Sequence, residues 1–137
     1  MRSLFLSTTA AALLLSSGAQ AATLRYAAAG DIYGLDPHSM TDSFTNGILA
    51  HVYEPLVRYA PDLSIEPALA TSWETIEPAR VRYFLRQDVT FHDGAPFTAQ
   101  DVAASLLRAT HPDSPIRGNL PALKDVEVVD DYTVDLI

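Results

Sequence analysis

The side chains able to do chemistry are few and scattered. The chain carries four histidines, His38, His51, His92 and His111, and no two stand four residues apart. No HExxH-type zinc arrangement therefore exists. The absence of cysteine removes disulfide scaffolds, thiolate metal sites, Fe–S ligation and thiol nucleophiles together. His92-Asp93 has the makings of an acid–base pair, but it sits in a His-Asp-Gly turn, where Asp93 is expected to cap the turn itself. No GxGxxG, GxxxxGK[ST] or GxSxG stretch occurs. The carboxylate pairs Asp130/Asp131 and Glu74/Glu77 read as solvated surface, since nothing places them in a shared dry cleft. Trp73 falls on an expected strand and reads as packing more than as a stacking platform. These residues favour binding over catalysis, and they point to no cofactor and no metal.

The elements that would position them follow from periodicity and turn chemistry. Thr23 to Ala28 alternates and suits a first strand. Leu35-Asp36-Pro37-His38 reads as a turn, because the ring of Pro37 pushes Asp36 towards extended geometry. Thr41, Asp42 and Ser43 offer N-cap oxygens to a helix whose stripe is Phe44, Ile48, Leu49 and Val52, running to about Glu54 before Pro55 ends it. A short strand over 56–59 precedes the Pro61-Asp62 turn, and 63–70 reads as irregular, with Pro67 inside it. Residues 72–74 and 81–86 read as strands flanking Pro78-Ala79, with Val81, Tyr83 and Leu85 on one face and Arg82, Phe84 and Arg86 on the other. Thr98 and Asp101 open a second helix with the stripe Val102, Leu106 and Ala109, stopped by His111-Pro112. After a polar loop over 113–119, Val126 to Leu136 suggests a hairpin across Asp130-Asp131. The run Tyr132 to Ile137 stops in mid-strand, which reads as a truncated chain.

Composition bounds the rest. The 137 residues are 48% hydrophobic, enough for a packed core, and carry 9 Lys+Arg against 17 Asp+Glu for a formal charge of −8. That balance argues against a partner that presents a phosphate backbone, so no nucleic acid is expected. Residues 1–21 have the anatomy of a cleaved signal peptide: Arg2, an apolar stretch from Leu4 to Leu15, and Ala19-Gln20-Ala21 as the cleavage site. Ser7, Thr8 and Thr9 interrupt the apolar run, which is too short for a membrane span. Residues 22–137 would then be exported to the periplasm, and without cysteine they would carry no lipid anchor.

Three segments together resemble family 5 of the bacterial extracytoplasmic solute-binding proteins, the peptide and nickel type that feed ABC importers. One is Gly30-Asp31 followed by Leu35-Asp36-Pro37-His38; another is Val52 to Val57 continuing to Pro67–Glu74. The longest runs from Tyr83 to Val102 and contains every fixed element of the family form LR-x-x-V-x-F-x-D/N-G-x-P-F-T/D-A-x-D-V. Each motif is weak alone, and their order over about Leu24 to Ile137 is what is specific.

The resemblance implies an α/β fold, the first part of lobe I of a two-lobed type II periplasmic binding protein, over residues 22–137. It implies capture of a small solute, most simply a short peptide, in an interlobe cleft, and delivery to an ABC permease in the inner membrane. The cleft-facing candidates by position in the family pattern are Met40, Thr41, Asp42, Ser43, Phe44 and Asn46, with Arg117 able to meet a carboxylate bidentately. Each has a plainer reading: Thr41, Asp42 and Ser43 as helix caps, Phe44 as core, Arg117 as a solvated loop arginine. For nickel the signal is poor, since His38 and Met40 alone build no site. Two functions from other classes stand beside this one, a one-lobe exported domain that binds a protein partner and an exported carboxylate-dependent hydrolase.

Overall fold

The computed structural model describes Thr23, Arg25, Ala27, Ala28 and residues 30–137; the signal-peptide reading lies outside them. Helix α1 (Ser43–Leu49) comes first, then strands β1 (Val57–Tyr59), β2 (Ile65–Pro67), β3 (Ala70–Glu77) and β4 (Arg80–Leu85). Helix α2 (Ala99–Thr110), a 3₁₀ turn at Arg117–Asn119, and strands β5 (Val126–Asp130) and β6 (Thr133–Leu136) complete the order. The described residues of the expected first strand, Thr23, Arg25, Ala27 and Ala28, adopt no regular structure, and Leu24 and Tyr26 lie outside the description.

Two antiparallel hairpins make one four-stranded sheet in the order β3-β4-β6-β5. The β3–β4 hairpin closes through Pro78-Ala79 as the alternation predicts. The β5–β6 turn is held by Asp130, whose Oδ1 accepts from the Tyr132 N–H at 2.8 Å. Register puts Tyr83 opposite Val134 and Val134 opposite Val128, so one face of the sheet is apolar from β4 to β5. Helix α2 covers that face. Its Val102 joins Leu85, Phe97, Val126 and Val134 in the buried cluster, and Ala109 is buried about two turns further along the same stripe. Burying these side chains is the main source of stability for the unit.

The start of α2 is fixed by its own sequence. The Asp101 carboxylate accepts from the Thr98 N–H at 2.8 Å and from the Thr98 hydroxyl at 2.9 Å, and the Ala99 N–H donates to the Asp131 carbonyl at 2.8 Å. The preceding turn is the one the Asp-Gly pair calls for: Gly94 has φ +89°, and Asp93 Oδ1 accepts from the Ala95 N–H at 2.9 Å. Asp93 is a turn cap, and His92-Asp93 forms no acid–base pair. Trp73 stacks on Tyr83 of the neighbouring strand, ring centroids 6.2 Å apart, so it is sheet packing.

The opposite face of the sheet carries a row of charges. Glu74, Arg82, Asp135 and Glu127 stand opposite one another across the four strands. Asp135 has no exposed surface; Arg82 Nε and Nη2 donate to its oxygens at 2.7 and 2.9 Å, and Arg80 Nη1 donates to it at 2.9 Å and to Glu127 at 2.6 Å. These bonds hold the Asp135 carboxyl below the usual carboxylate range against the desolvation that opposes them.

Two further sequence expectations are corrected. Residues 65–67 are not irregular but form β2, which pairs with β1 in the register Val57↔Pro67. Pro67 is tolerated because it stands at the end of that short ladder. Helix α1 is shorter than expected, ending at Leu49 and continuing to Val52 as turn. Its inward face is Thr45 and Leu49, with Phe44 and Ile48 half-buried and Val52 53% exposed.

Candidate functional site

The surface next to the sequence candidates is built by three pieces of chain: residues 33–46, the exposed face of α2, and the loop after it. Asp36 to Ser39 form a tight turn in which the Asp36 carbonyl accepts from the Ser39 N–H at 3.1 Å and from its hydroxyl at 2.8 Å. Asp36 Oδ1 also accepts from the His38 N–H at 3.0 Å, the self-closing turn expected of Asp before Pro-His. Tyr53 donates its hydroxyl to the Leu35 carbonyl at 2.8 Å, and the Tyr33 N–H donates to Thr45 Oγ1 at 3.3 Å. Buried Thr45 is thus the polar seat on which the chain entering this turn rests.

The turn is gripped from α2. Arg108 Nη1 donates to Asp36 Oδ1 at 2.9 Å and Nη2 donates to Asp36 Oδ2, a two-pronged ion pair. Arg108 Nη1 also donates to His38 Nδ1 at 3.2 Å, which leaves Nε2 to carry the ring proton towards Ser105 Oγ at 3.4 Å. Ser105 and Arg108 lie one helical turn apart, so one stripe of α2 supplies both contacts. The Arg108 hydrogen bond, followed by that from the His38 N–H, lowers the Asp36 pKa to about 2. Desolvation first, and then the Arg108 charge, lowers that of His38, which favours the neutral ring.

Beside this pair runs an open groove of about 330 Å³ bounded by Asp36, His38, Arg108, His111, Asp113 and Ser114. Arg117 and the segment 40–46 do not line it. Met40 sits against Gly34, its Cε 3.3 Å from where a side chain on that glycine would begin. Asp42 is the α1 cap, Oδ2 accepting from the Thr45 N–H at 3.3 Å. Thr41, Ser43 and Asn46 are exposed and Phe44 is half-buried. Arg117 is exposed at the 3₁₀ turn, and its guanidinium makes no hydrogen bond to a side chain among the described residues. The sequence does not point to the cluster of Asp36, His38, Ser105 and Arg108. Its only sequence signal is an Asp-Pro-His turn and an Arg on the exposed side of α2, which lie 72 residues apart.

Residues 64–137 match the family model of the bacterial extracellular solute-binding proteins, family 5. The chain belongs to that family. It is 35% identical over 106 residues to the glutathione-binding protein GsiB of Salmonella paratyphi A, covering 74% of this chain and 20% of the relative. It is 44% identical over 72 residues to the nickel-binding periplasmic protein of Escherichia coli K12, covering 50% of this chain and 13% of the relative. Among solved structures it matches the binding protein MoaA of A. tumefaciens R10 in complex with mannopinic acid, with TM-score 0.70 and 37% identity over 77% of this chain and 23% of that one. The family 5 chain described here therefore spans about a fifth of the length of the curated relatives it matches, and its α/β unit is the fold of type II periplasmic binding proteins. The strand–turn–helix block from Tyr83 to Val102 lies inside the matched region, and most of it serves the scaffold: Leu85, Phe97, Ala99 and Val102 are core, Gly94 turns the chain, and Thr98 and Asp101 start α2.

Proposed function

We propose that the protein is the periplasmic substrate-binding component of an ABC importer, which captures short peptides or a similar small solute between two lobes and delivers them to a membrane permease. The observation that carries this reading is the match of residues 64–137 to the family 5 model, within an α/β unit of the matching fold. The relatives named above bind small solutes of different kinds, so the family match alone does not choose among them. A peptide is favoured by the identity to a glutathione-binding relative over 106 residues, since glutathione is itself a tripeptide.

In this reading residues 1–21 direct export and are removed, and 22–137 open the first lobe. Met40, Thr41, Asp42, Ser43, Phe44 and Asn46 face the solute from the start of α1, and Arg117 meets a carboxylate with its exposed guanidinium. Main-chain hydrogen bonds to an extended peptide would give affinity with little demand on side-chain identity. Closure of the lobes is driven by the tighter grip of the closed state on the solute, and no bond is made or broken.

The test is a thermal-unfolding screen of the purified protein against di- to pentapeptides, glutathione and Ni²⁺, with each hit followed for product by mass spectrometry. Short peptides should raise the midpoint saturably and come back unchanged. Hydrolysed peptide would favour an enzyme, and no stabilisation by any probe would leave the partner-binding domain as the better reading.

A further inference from the structure

Among the described residues, the side-chain hydrogen bonds that join 30–54 to the α2–sheet unit come from Ser105, Arg108 and Arg86 alone. Arg86 reaches Glu54 at the far end of that stretch, at 3.0 Å. At the near end everything converges on one guanidinium. Arg108 holds both oxygens of Asp36 and the ring of His38, and the Asp36 turn passes directly into Met40 and the α1 cap, Asp42. The other long-range side-chain hydrogen bonds of this stretch, Tyr53 to Leu35 and Tyr33 to Thr45, lie within it. Helix α2, in contrast, is fixed by its buried face and by the Ala99 bond to Asp131.

We infer that Arg108 is a positioning residue for solute binding: by clamping the Asp36-Pro37-His38 turn to α2 it sets where the segment Met40–Asn46 stands relative to the sheet. The inference rests on the reading that this segment faces the solute. Arg108 itself need not touch the solute, because both prongs of its fork are taken by Asp36. A lysine is not equivalent: its ammonium has three donors but no planar fork, so it cannot set two parallel N–H bonds on the Asp36 carboxylate while also holding His38. An exposed ion pair of this kind adds little to global stability, so loss of the clamp should register in the loop and not in the fold.

The experiment compares wild type, Arg108→Gln, Arg108→Lys, Asp36→Asn and the double variant Arg108→Gln/Asp36→Asn. Each is titrated with trialanine and with glutathione, and the ¹³C-methyl resonance of Met40, assigned with Met40→Leu, is recorded without ligand. The expected result is a loss of affinity of roughly fivefold or more for either single change and for lysine, with the double variant no worse than Arg108→Gln. The Met40 resonance should shift in all of them while the unfolding midpoint stays within about 2 °C. Unchanged affinity with an unchanged Met40 resonance overturns the clamp, as does a loss of affinity matched by a large fall in midpoint. If wild type binds neither probe, the solute reading is what fails, and the Met40 resonance alone then decides whether Arg108 positions the segment.

Discussion

Asp135 offers the sharpest test of how the sheet is held together. Replacing it by asparagine keeps its shape and removes its charge. Three charge-assisted bonds at 2.7, 2.9 and 2.9 Å end on this carboxylate, which has no exposed surface. Bonds to a charged group contribute about 1.5–3 kcal/mol each in net terms. The full sum is not lost, because asparagine keeps one acceptor and the arginine side chains, 26% and 29% exposed, can turn to water. The expected cost is about 2–3 kcal/mol, below the full value for breaking a fully buried pair. Removing both partners, as in Asp135→Leu with Arg82→Leu, should cost about 1 kcal/mol or less, since no charge is then stranded and Arg80 retains Glu127. Urea unfolding followed by fluorescence of Trp73, the chain's one tryptophan, reads this directly, because Trp73 stacks on the strand that bears Arg82. With a slope of about 2 kcal/mol per molar urea, Asp135→Asn should move the midpoint down by roughly 1–1.5 M. A shift under about 0.3 M, or a double variant worse than the single, would refute the view that the arginines pin this strand through Asp135.

Other perturbations follow from single contacts. Leu63 sits in the β1–β2 turn at φ +68° and is 77% exposed, so Leu63→Gly should raise stability by roughly 0.5–1 kcal/mol, against the usual cost of glycine, as measured by the urea midpoint. Asp101→Ala removes the acceptor for the Thr98 N–H and hydroxyl and should cost about 1 kcal/mol in the same assay. Asp36, with its pKa lowered to about 2, binds fewer protons folded than unfolded near pH 3, so its contribution is complete above about pH 4 and is lost as pH falls through about 2. A carboxyl ¹³C titration should place its inflection near pH 2, and in Arg108→Gln nearer the ordinary value. Arg117→Gln should weaken binding of trialanine by roughly tenfold and leave that of its C-terminal amide unchanged, as measured by calorimetry.

The block from Val81 to Val102 was legible because every local cue agrees: strict alternation, an Asp-Gly turn at φ +89° and a cap three residues ahead of its acid. The family could be recognised for the same reason, as that block is scaffold with little freedom. Strand β2 was hidden because three residues carry no period and Pro67 argues against a strand until its place at the ladder's end is known. The inward face of α1 was misread because Thr45, a polar residue, takes the buried position by accepting a backbone N–H, and hydropathy has no means to anticipate that. Nothing in the sequence sets Asp135 apart from the chain's other acids, and only the register opposite Arg82 shows why it is buried. The Asp36–Arg108 clamp is invisible for a related reason, since two ordinary surface residues 72 apart acquire meaning only once α2 is folded onto the sheet.

Capture of a small solute is tested most directly by isolating the protein from the periplasm of its source cells, without adding ligand, and identifying by mass spectrometry what it releases on denaturation. A peptide of a few residues, released intact and in near-stoichiometric amount, is the expected result. Release of nothing from protein that also gains no stability from peptides, glutathione or Ni²⁺, or co-isolation with a protein partner instead, would contradict it.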